Sequence, residues 1–187
     1  MTFEIKEICQ VEQSLSNNFL SLIDKEHWKI DTARQKTYEV HRFTETIRLR
    51  HVKNLDFNNF RFVNYETYNH YKSVIDQYLD IISNHFIIKD YTALIVNLKP
   101  KGIINPHTDN GSRYFELGHR LHIPIKTNQE VSFTVGDTIM NMEVGKVYEI
   151  NNLTTHSVEN NSTENRIHII MDIFDKNIKE YPEYWMN

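Results

Sequence analysis

The residues with the most to offer chemically are His107, Asp109, His156 and Arg166. In an extended stretch, residues i and i+2 point to the same face, so His107 and Asp109 of the triplet His107-Thr108-Asp109 can converge on one ion. His156 lies well downstream at the head of a further predicted strand, and Arg166 opens the last one. Two neutral imidazoles and one carboxylate form a donor set that suits non-haem ferrous iron. Three adjacent coordination positions stay open, two for an oxoacid chelate and one for dioxygen. A lone His-x-Asp triplet reads equally well as a hydrogen-bonded pair in a loop, and a chain with 10 His can produce one by chance. The metal reading rests on the ordered combination with His156 and Arg166.

Arg166 gains meaning from its strand. In the run RIHIIMDIF at 166–174, Arg166, His168, Ile170 and Asp172 share one face, while Ile167, Ile169, Met171 and Ile173 share the other. The second face is wholly apolar and must meet a hydrophobic layer, which turns the arginine inward. A buried guanidinium is costly unless an anion neutralises it. A dicarboxylate cosubstrate can do so through a bidentate pair; a salt bridge to Asp172 or Glu149 is the structural alternative. The run HRLHIPI at 119–125 repeats the pattern. Arg120, His122 and Pro124 face one way, and Leu121, Ile123 and Ile125 the other. An inward Arg and His on a second strand suit an anion pocket better than a plain core.

The elements that must position these residues change character near residue 90. Before it, Val11, Leu15, Phe19, Leu22 and Ile23 predict an amphipathic helix over 10–24, and Tyr68, Tyr71, Ile75, Tyr78, Leu79 and Ile82 predict another over 66–86. Residues 37–52 read as one or two strands. Arg48 and Arg50 there fit a substrate mouth or a solvated face equally well. After it come eight short strand candidates: 91–98, 103–108, 119–125, 131–135, 138–142, 146–150, 155–159 and 166–174. Turn residues such as Pro100-Lys101-Gly102, Asp109-Asn110-Gly111 and Gly136-Asp137 separate them. The expected fold is mostly β with flanking helices, around a double-stranded β-helix (a jelly-roll or cupin-like core). We read 1–187 as one domain, with 1–90 packing on the barrel and 91–174 supplying the core strands.

Composition narrows the function classes. A net charge of −4, with basic residues scattered, gives no nucleic-acid footprint. No apolar run is long enough to span a bilayer, and no secretory leader is apparent. The single cysteine, Cys9, excludes an internal disulfide or a cysteine-rich zinc site. It has no catalytic histidine patterned beside it and reads as a structural thiol. Trp28 and Trp185 read as packing residues. The expectation is a cytoplasmic protein acting on a small molecule or peptide, without a membrane or nucleic-acid partner.

From about Tyr91 to Phe174 the chain resembles the aspartyl/asparaginyl β-hydroxylase family of Fe(II)- and 2-oxoglutarate-dependent oxygenases. The resemblance is carried, in order, by PHTDNG at 106–111, RLHIPI at 120–125, GKVYEINN at 145–152, TTHSVEN at 154–160 and RIHIIMDIF at 166–174. It implies that His107 and His156 ligate iron and that Arg166 binds the distal carboxylate of 2-oxoglutarate, with Arg120 and His122 also contacting the cosubstrate. Animal members lack a carboxylate at the position matching Asp109, whereas many bacterial members keep one; this sequence resembles the full-triad kind. It also lacks the membrane anchor and helical repeats of the animal enzymes, so their disulfide-rich secreted substrates are not expected. The implied reaction hydroxylates an aliphatic C–H of an amino acid, peptide or protein residue, consuming dioxygen and releasing succinate and carbon dioxide. His168, near the lumen by alternation, is expected beside the groups that hold the metal.

Two rivals remain at this level. A cupin-like isomerase or sensor would keep the metal ligands and have no use for 2-oxoglutarate. A binding module on a degenerate oxygenase fold would have lost a ligand, which this chain has not. Replacing His107 or His156 by Ala is expected to abolish substrate hydroxylation and iron-dependent succinate formation. Unaltered turnover in either variant removes the assignment.

Overall fold

The computed structural model describes residues 4–52, 61–109 and 113–175. Trp185 and the last two residues of the Asp109-Asn110-Gly111 turn lie outside them. The chain runs through β1 (Ile5–Gln10), α1 (Gln13–Leu22), α2 (Ala33–Thr37), β2 (Thr44–Val52), β3 (Phe62–Asn64), α3 (Tyr68–Ile82) and β4 (Ile88–Leu98). It continues with β5 (Ile103–His107), α4 (Arg113–Leu117), β6 (His119–Lys126), β7 (Val131–Val135), β8 (Thr138–Met140), β9 (Lys146–Ile150), β10 (His156–Asn160) and β11 (Arg166–Asp175). Short 3-10 turns occupy Lys25–Lys29 and Glu39–His41.

Two antiparallel sheets face each other. The larger has the order β1-β9-β6-β11-β4-β2-β3, and the smaller β5-β10-β7-β8. Together they make the expected jelly-roll sandwich with helices on one outer face. The alternation read from RIHIIMDIF explains the layering. Ile167, Ile169, Met171 and Ile173 join Leu121, Ile123 and Ile125 of β6 in an apolar layer beneath α1 and α3. The opposite face of the same strands looks into the lumen between the sheets, where Leu98, Ile104, Phe133, Val135, Tyr148, Ile150 and Val158 form a second core.

The two predicted helices form over shorter spans than the periodicity suggests. Before α1, Val11 is drawn out of the helix by a backbone bond from its N–H to the Gly145 carbonyl (2.8 Å). Phe19 anchors the pair. It is fully buried, stacks on Tyr71 with ring centroids 5.6 Å apart, and meets Tyr78 edge-on at 6.2 Å. The Tyr78 hydroxyl, taken out of water, is satisfied by Ser16 Oγ at 3.2 Å.

Within 37–52 the chain makes one strand, β2, preceded by the turn at Glu39–His41. The strand expected over 138–142 stops at Met140, because Asn141 turns its amide to the carbonyls of Asn128 and Val131 and Met142 enters the inter-sheet core. The first ninety residues do more than pack on the barrel: β1 and β2–β3 extend the large sheet at its two ends. The run IKEICQ hides β1 because a bulge between Glu7 and Cys9 breaks its alternation.

Phe19 lies in the helical layer, with a whole sheet between it and the lumen. Phe19→Ala is expected to cost on the order of 3–5 kcal/mol of stability, read as a lower urea midpoint. Affinity for Mn(II) should stay unchanged, since the two regions are too far apart to couple.

Candidate metal centre and cosubstrate pocket

The metal centre is assembled by strand register. β5 and β10 pair antiparallel with His156 directly opposite His107, and the two rings sit 4.3 Å apart. Each ring is held by its own strand: Nδ1 of His107 lies 2.8 Å from the Asn105 carbonyl, and Nδ1 of His156 lies 3.0 Å from that of Thr154. A carbonyl can only accept, so Nδ1 carries the proton and each Nε2 offers a lone pair. Both lone pairs look toward Asp109. His107 Nε2 lies 3.9 Å from Oδ1 and His156 Nε2 lies 3.9 Å from Oδ2. Asp109 is steered there by its backbone N–H, which donates to the Asn152 carbonyl (3.0 Å) just ahead of β10. The three donor atoms lie within 4.8 Å of one another. Burial, partly offset by Asp109, keeps His156 below the ordinary imidazole range, and therefore neutral and able to ligate.

Behind Asp109 stands a buried ion-pair relay. Arg120 donates from Nη1 to Asp109 and forms a bidentate pair with Asp172, Nε to Oδ1 at 2.7 Å and Nη2 to Oδ2 at 2.9 Å. Asp172 also accepts from the Tyr114 hydroxyl of α4 at 2.5 Å and from Thr92 Oγ1 at 3.3 Å. Burial opposes the charge on Arg120, but Asp109 and then Asp172 outweigh it and hold its pKa above the ordinary value. Burial likewise opposes ionisation of Asp172, and Arg120 overcomes it. The register opposes Asp172 to Arg120 across β11 and β6, so the pair follows from the sheet itself.

The second basic pocket lies at the start of β11. Arg166 is 1% exposed, which makes it the largest side chain so fully buried. No acidic side chain among the described residues pairs with it. Its Nη2 contacts His168 Nδ1 at 2.7 Å, its guanidinium lies 5.6 Å from the Phe133 ring centroid, and its Nε has no partner. Burial alone pushes its pKa down to about 9. A guanidinium can only donate, so His168 Nδ1 accepts and the proton of the neutral ring sits on Nε2, which is buried and unpartnered. His122, 5.8 Å from His168 between ring centroids, likewise leaves Nδ1 unpartnered. Burial and then Arg166 hold both imidazoles well below the ordinary range. Arg166, His168 and His122 thus form a dry cluster with unfilled hydrogen-bonding capacity and a positive charge lacking an anion. A carboxylate fits that chemistry.

The structure brings His107, Asp109 and His156 together, and puts His122 beside Arg166. All three nitrogens of Arg120 are directed at Asp109 and Asp172. Sequence reasoning missed Tyr114 and the pairing of Asp172 with Arg120, since strand register is not visible in one sequence. It also missed the segment at 33–41, where His41 stands edge-on over His107 at 5.8 Å. Arg48, left open between a mouth and a solvated face, borders a cavity of about 320 Å³ together with His27, Asp31, Tyr65 and Glu66. None of the three metal-binding candidates lines it.

The fold and the donor set fit a 2-oxoglutarate- and Fe(II)-dependent oxygenase. The family model described as "Aspartyl/Asparaginyl beta-hydroxylase" matches residues 14–176, and the chain belongs to that family. The chain is therefore a hydroxylase that uses Fe(II), 2-oxoglutarate and dioxygen, which removes the cupin-like isomerase or sensor as a rival. No curated protein sequence matches it. Among solved structures it is similar to a Pseudomonas putida prolyl-4-hydroxylase (TM-score 0.57, 10% identity, covering 94% of this chain and 95% of that one). It is also similar to a prolyl hydroxylase from Trichoplax adhaerens in complex with a hypoxia inducible factor oxygen degradation domain peptide fragment (TM-score 0.58, 13% identity, 94% and 85% covered). A third is the viral collagen prolyl hydroxylase of Paramecium Bursaria Chlorella virus-1 as a 2-oxoglutarate complex (TM-score 0.55, 10% identity, 93% and 97% covered). At these identities the likeness is one of fold. No helix among the described residues is long and apolar enough to cross a membrane.

Asp172→Asn removes one charge from the relay and leaves Arg120 with Asp109 as its only carboxylate. Breaking a buried pair this way is expected to cost about 3–5 kcal/mol, read by urea denaturation. Mn(II) affinity should fall roughly 10- to 100-fold by calorimetry, as for the loss of other groups that orient a ligand.

Proposed function

We propose that His107, Asp109 and His156 hold the iron, that Arg166 binds the distal carboxylate of 2-oxoglutarate, and that the hydroxylated substrate is a free amino acid or small peptide. The single observation behind the cosubstrate role is the deeply buried Arg166 with no carboxylate opposite it among the described residues. A charge in that position is tolerable only if something anionic arrives. His168 Nε2–H and His122 supply further hydrogen-bonding groups around the same carboxylate. Arg120, expected from the family pattern to contact the cosubstrate, is assigned instead to orienting Asp109.

Iron, 2-oxoglutarate and dioxygen together supply the oxidising power: decarboxylation to succinate and carbon dioxide is coupled to insertion of one oxygen atom into an aliphatic C–H bond. The chain's own residues position and protect. The two Nδ1 tethers keep both imidazoles in the ligating tautomer. Arg120 keeps the Asp109 carboxylate aimed. The apolar inter-sheet core walls the lumen from bulk water. No side chain has to act as a general base. A small substrate is favoured by family analogy, and the peptide complex of the Trichoplax relative supports a peptide-sized one. A residue within a protein is the second reading.

Mn(II) and 2-oxoglutarate together are expected to raise the melting temperature beyond either alone. Arg166→Lys should increase the half-saturating 2-oxoglutarate concentration roughly 10- to 100-fold, because an ammonium cannot reproduce the planar two-point contact. An unchanged requirement would make Arg166 structural.

A further inference from the structure

Arg34 lies close enough to two further arginines, Arg120 and Arg48, for their charges to interact. Arg120 is matched by Asp172 and Asp109. Arg48 is matched by Asp31 at 3.2 Å. Arg34, from the short helix α2, has no ion pair among the described residues. Its Nη1 is sealed from solvent without a hydrogen-bond partner, although the residue as a whole is partly exposed. Its electrostatic neighbours place it at the metal centre: Arg120, Asp109, Arg48 and Asp172. His41, at the other end of the same segment, stands over His107 and also has a buried, unpartnered Nδ1. Residues 33–41 therefore stand beside the His107 side of the metal centre.

Counting charge identifies what is missing. This step rests on the cosubstrate reading above. Ferrous iron, the Asp109 carboxylate, doubly charged 2-oxoglutarate and Arg166 sum to zero. Arg120 with Asp172, and Arg48 with Asp31, also cancel. Among these groups, Arg34 is the one left without a carboxylate partner. Burial and then Arg120 push the Arg34 pKa down to about 10, a like-charge pressure that an incoming anion relieves.

We propose that Arg34 is the substrate-anchoring residue of this enzyme, and that the substrate is a small acid whose carboxylate pairs with Arg34 while its aliphatic C–H faces the iron. The planar fork matches a carboxylate, and pairing beside the metal centre fixes which carbon meets the metal. A neutral amide of the same molecule would leave the sealed Nη1 without an anionic partner, so the free acid should be preferred.

The test uses the full chain with Fe(II) and 2-oxoglutarate, and as probes the twenty free L-amino acids beside their carboxamides. Substrate-stimulated succinate release is measured for wild type, Arg34→Met and Arg34→Lys. At least one free acid should stimulate wild type, with its amide at least tenfold weaker in kcat/KM. Arg34→Met should erase that preference through KM, and Arg34→Lys should restore part of it. Half-saturation by 2-oxoglutarate should not move in either variant, and joint stabilisation by Mn(II) and 2-oxoglutarate confirms that each is folded. Equal use of acid and amide by wild type, retention of the preference in Arg34→Met, or no stimulation by any acid in protein that binds Mn(II) and 2-oxoglutarate overturns the proposal. Failure of wild type to bind 2-oxoglutarate strikes instead at the cosubstrate reading.

Discussion

A guanidinium removed from water must find an anion, and the lumen meets that demand in different ways at neighbouring arginines. Arg120 finds two carboxylates within the protein and becomes part of the scaffold. Arg166 finds none among the described residues and shares its pocket with two imidazoles kept neutral by burial and by the guanidinium itself. The contrast separates structure from function more sharply than burial does, since both side chains are turned inward from the same sheet. What distinguishes them is whether an acidic side chain among the described residues completes the pair.

That division depends on the two-sidedness of β6 and β11. Leu121, Ile123, Ile169 and Met171 are gripped by the helical layer, and a slip of one residue would bury Arg120 and Arg166 against α1 and α3. The apolar face thus fixes the register, and the register delivers the polar face to the lumen. The small sheet works the same way on the other wall, where the pairing of β5 with β10 sets His107 against His156.

Much of this was legible in the residues. Alternation in RIHIIMDIF and HRLHIPI separated lumen from core correctly, and the turn residues divided the strands to within three residues. Periodicity also found α1 and α3 but overran their ends, because the backbone bond that draws Val11 to Gly145 is a long-range event. Pairing was out of reach. Nothing local says that Asp172 faces Arg120, or that α4 brings Tyr114 to the same carboxylate. β1 was invisible for a related reason: an edge strand with a bulge and only one well-covered face carries little pattern. The segment at 33–41 was unreadable because its five-residue helix buries no apolar stripe, and its place over the metal centre comes entirely from tertiary contacts.

The two histidine tethers carry a consequence for how such an enzyme can diversify. Each imidazole is oriented by a main-chain carbonyl two residues before it, and a carbonyl cannot be mutated away. Side chains around the histidines can therefore be exchanged to suit a new molecule without rotating either ring. Asp109 has a main-chain anchor only at its backbone, to the Asn152 carbonyl; its carboxylate is held by the side chain of Arg120, itself paired with Asp172. A lineage drifting toward a two-histidine centre would lose its grip at the carboxylate first, with both imidazoles still correctly aimed.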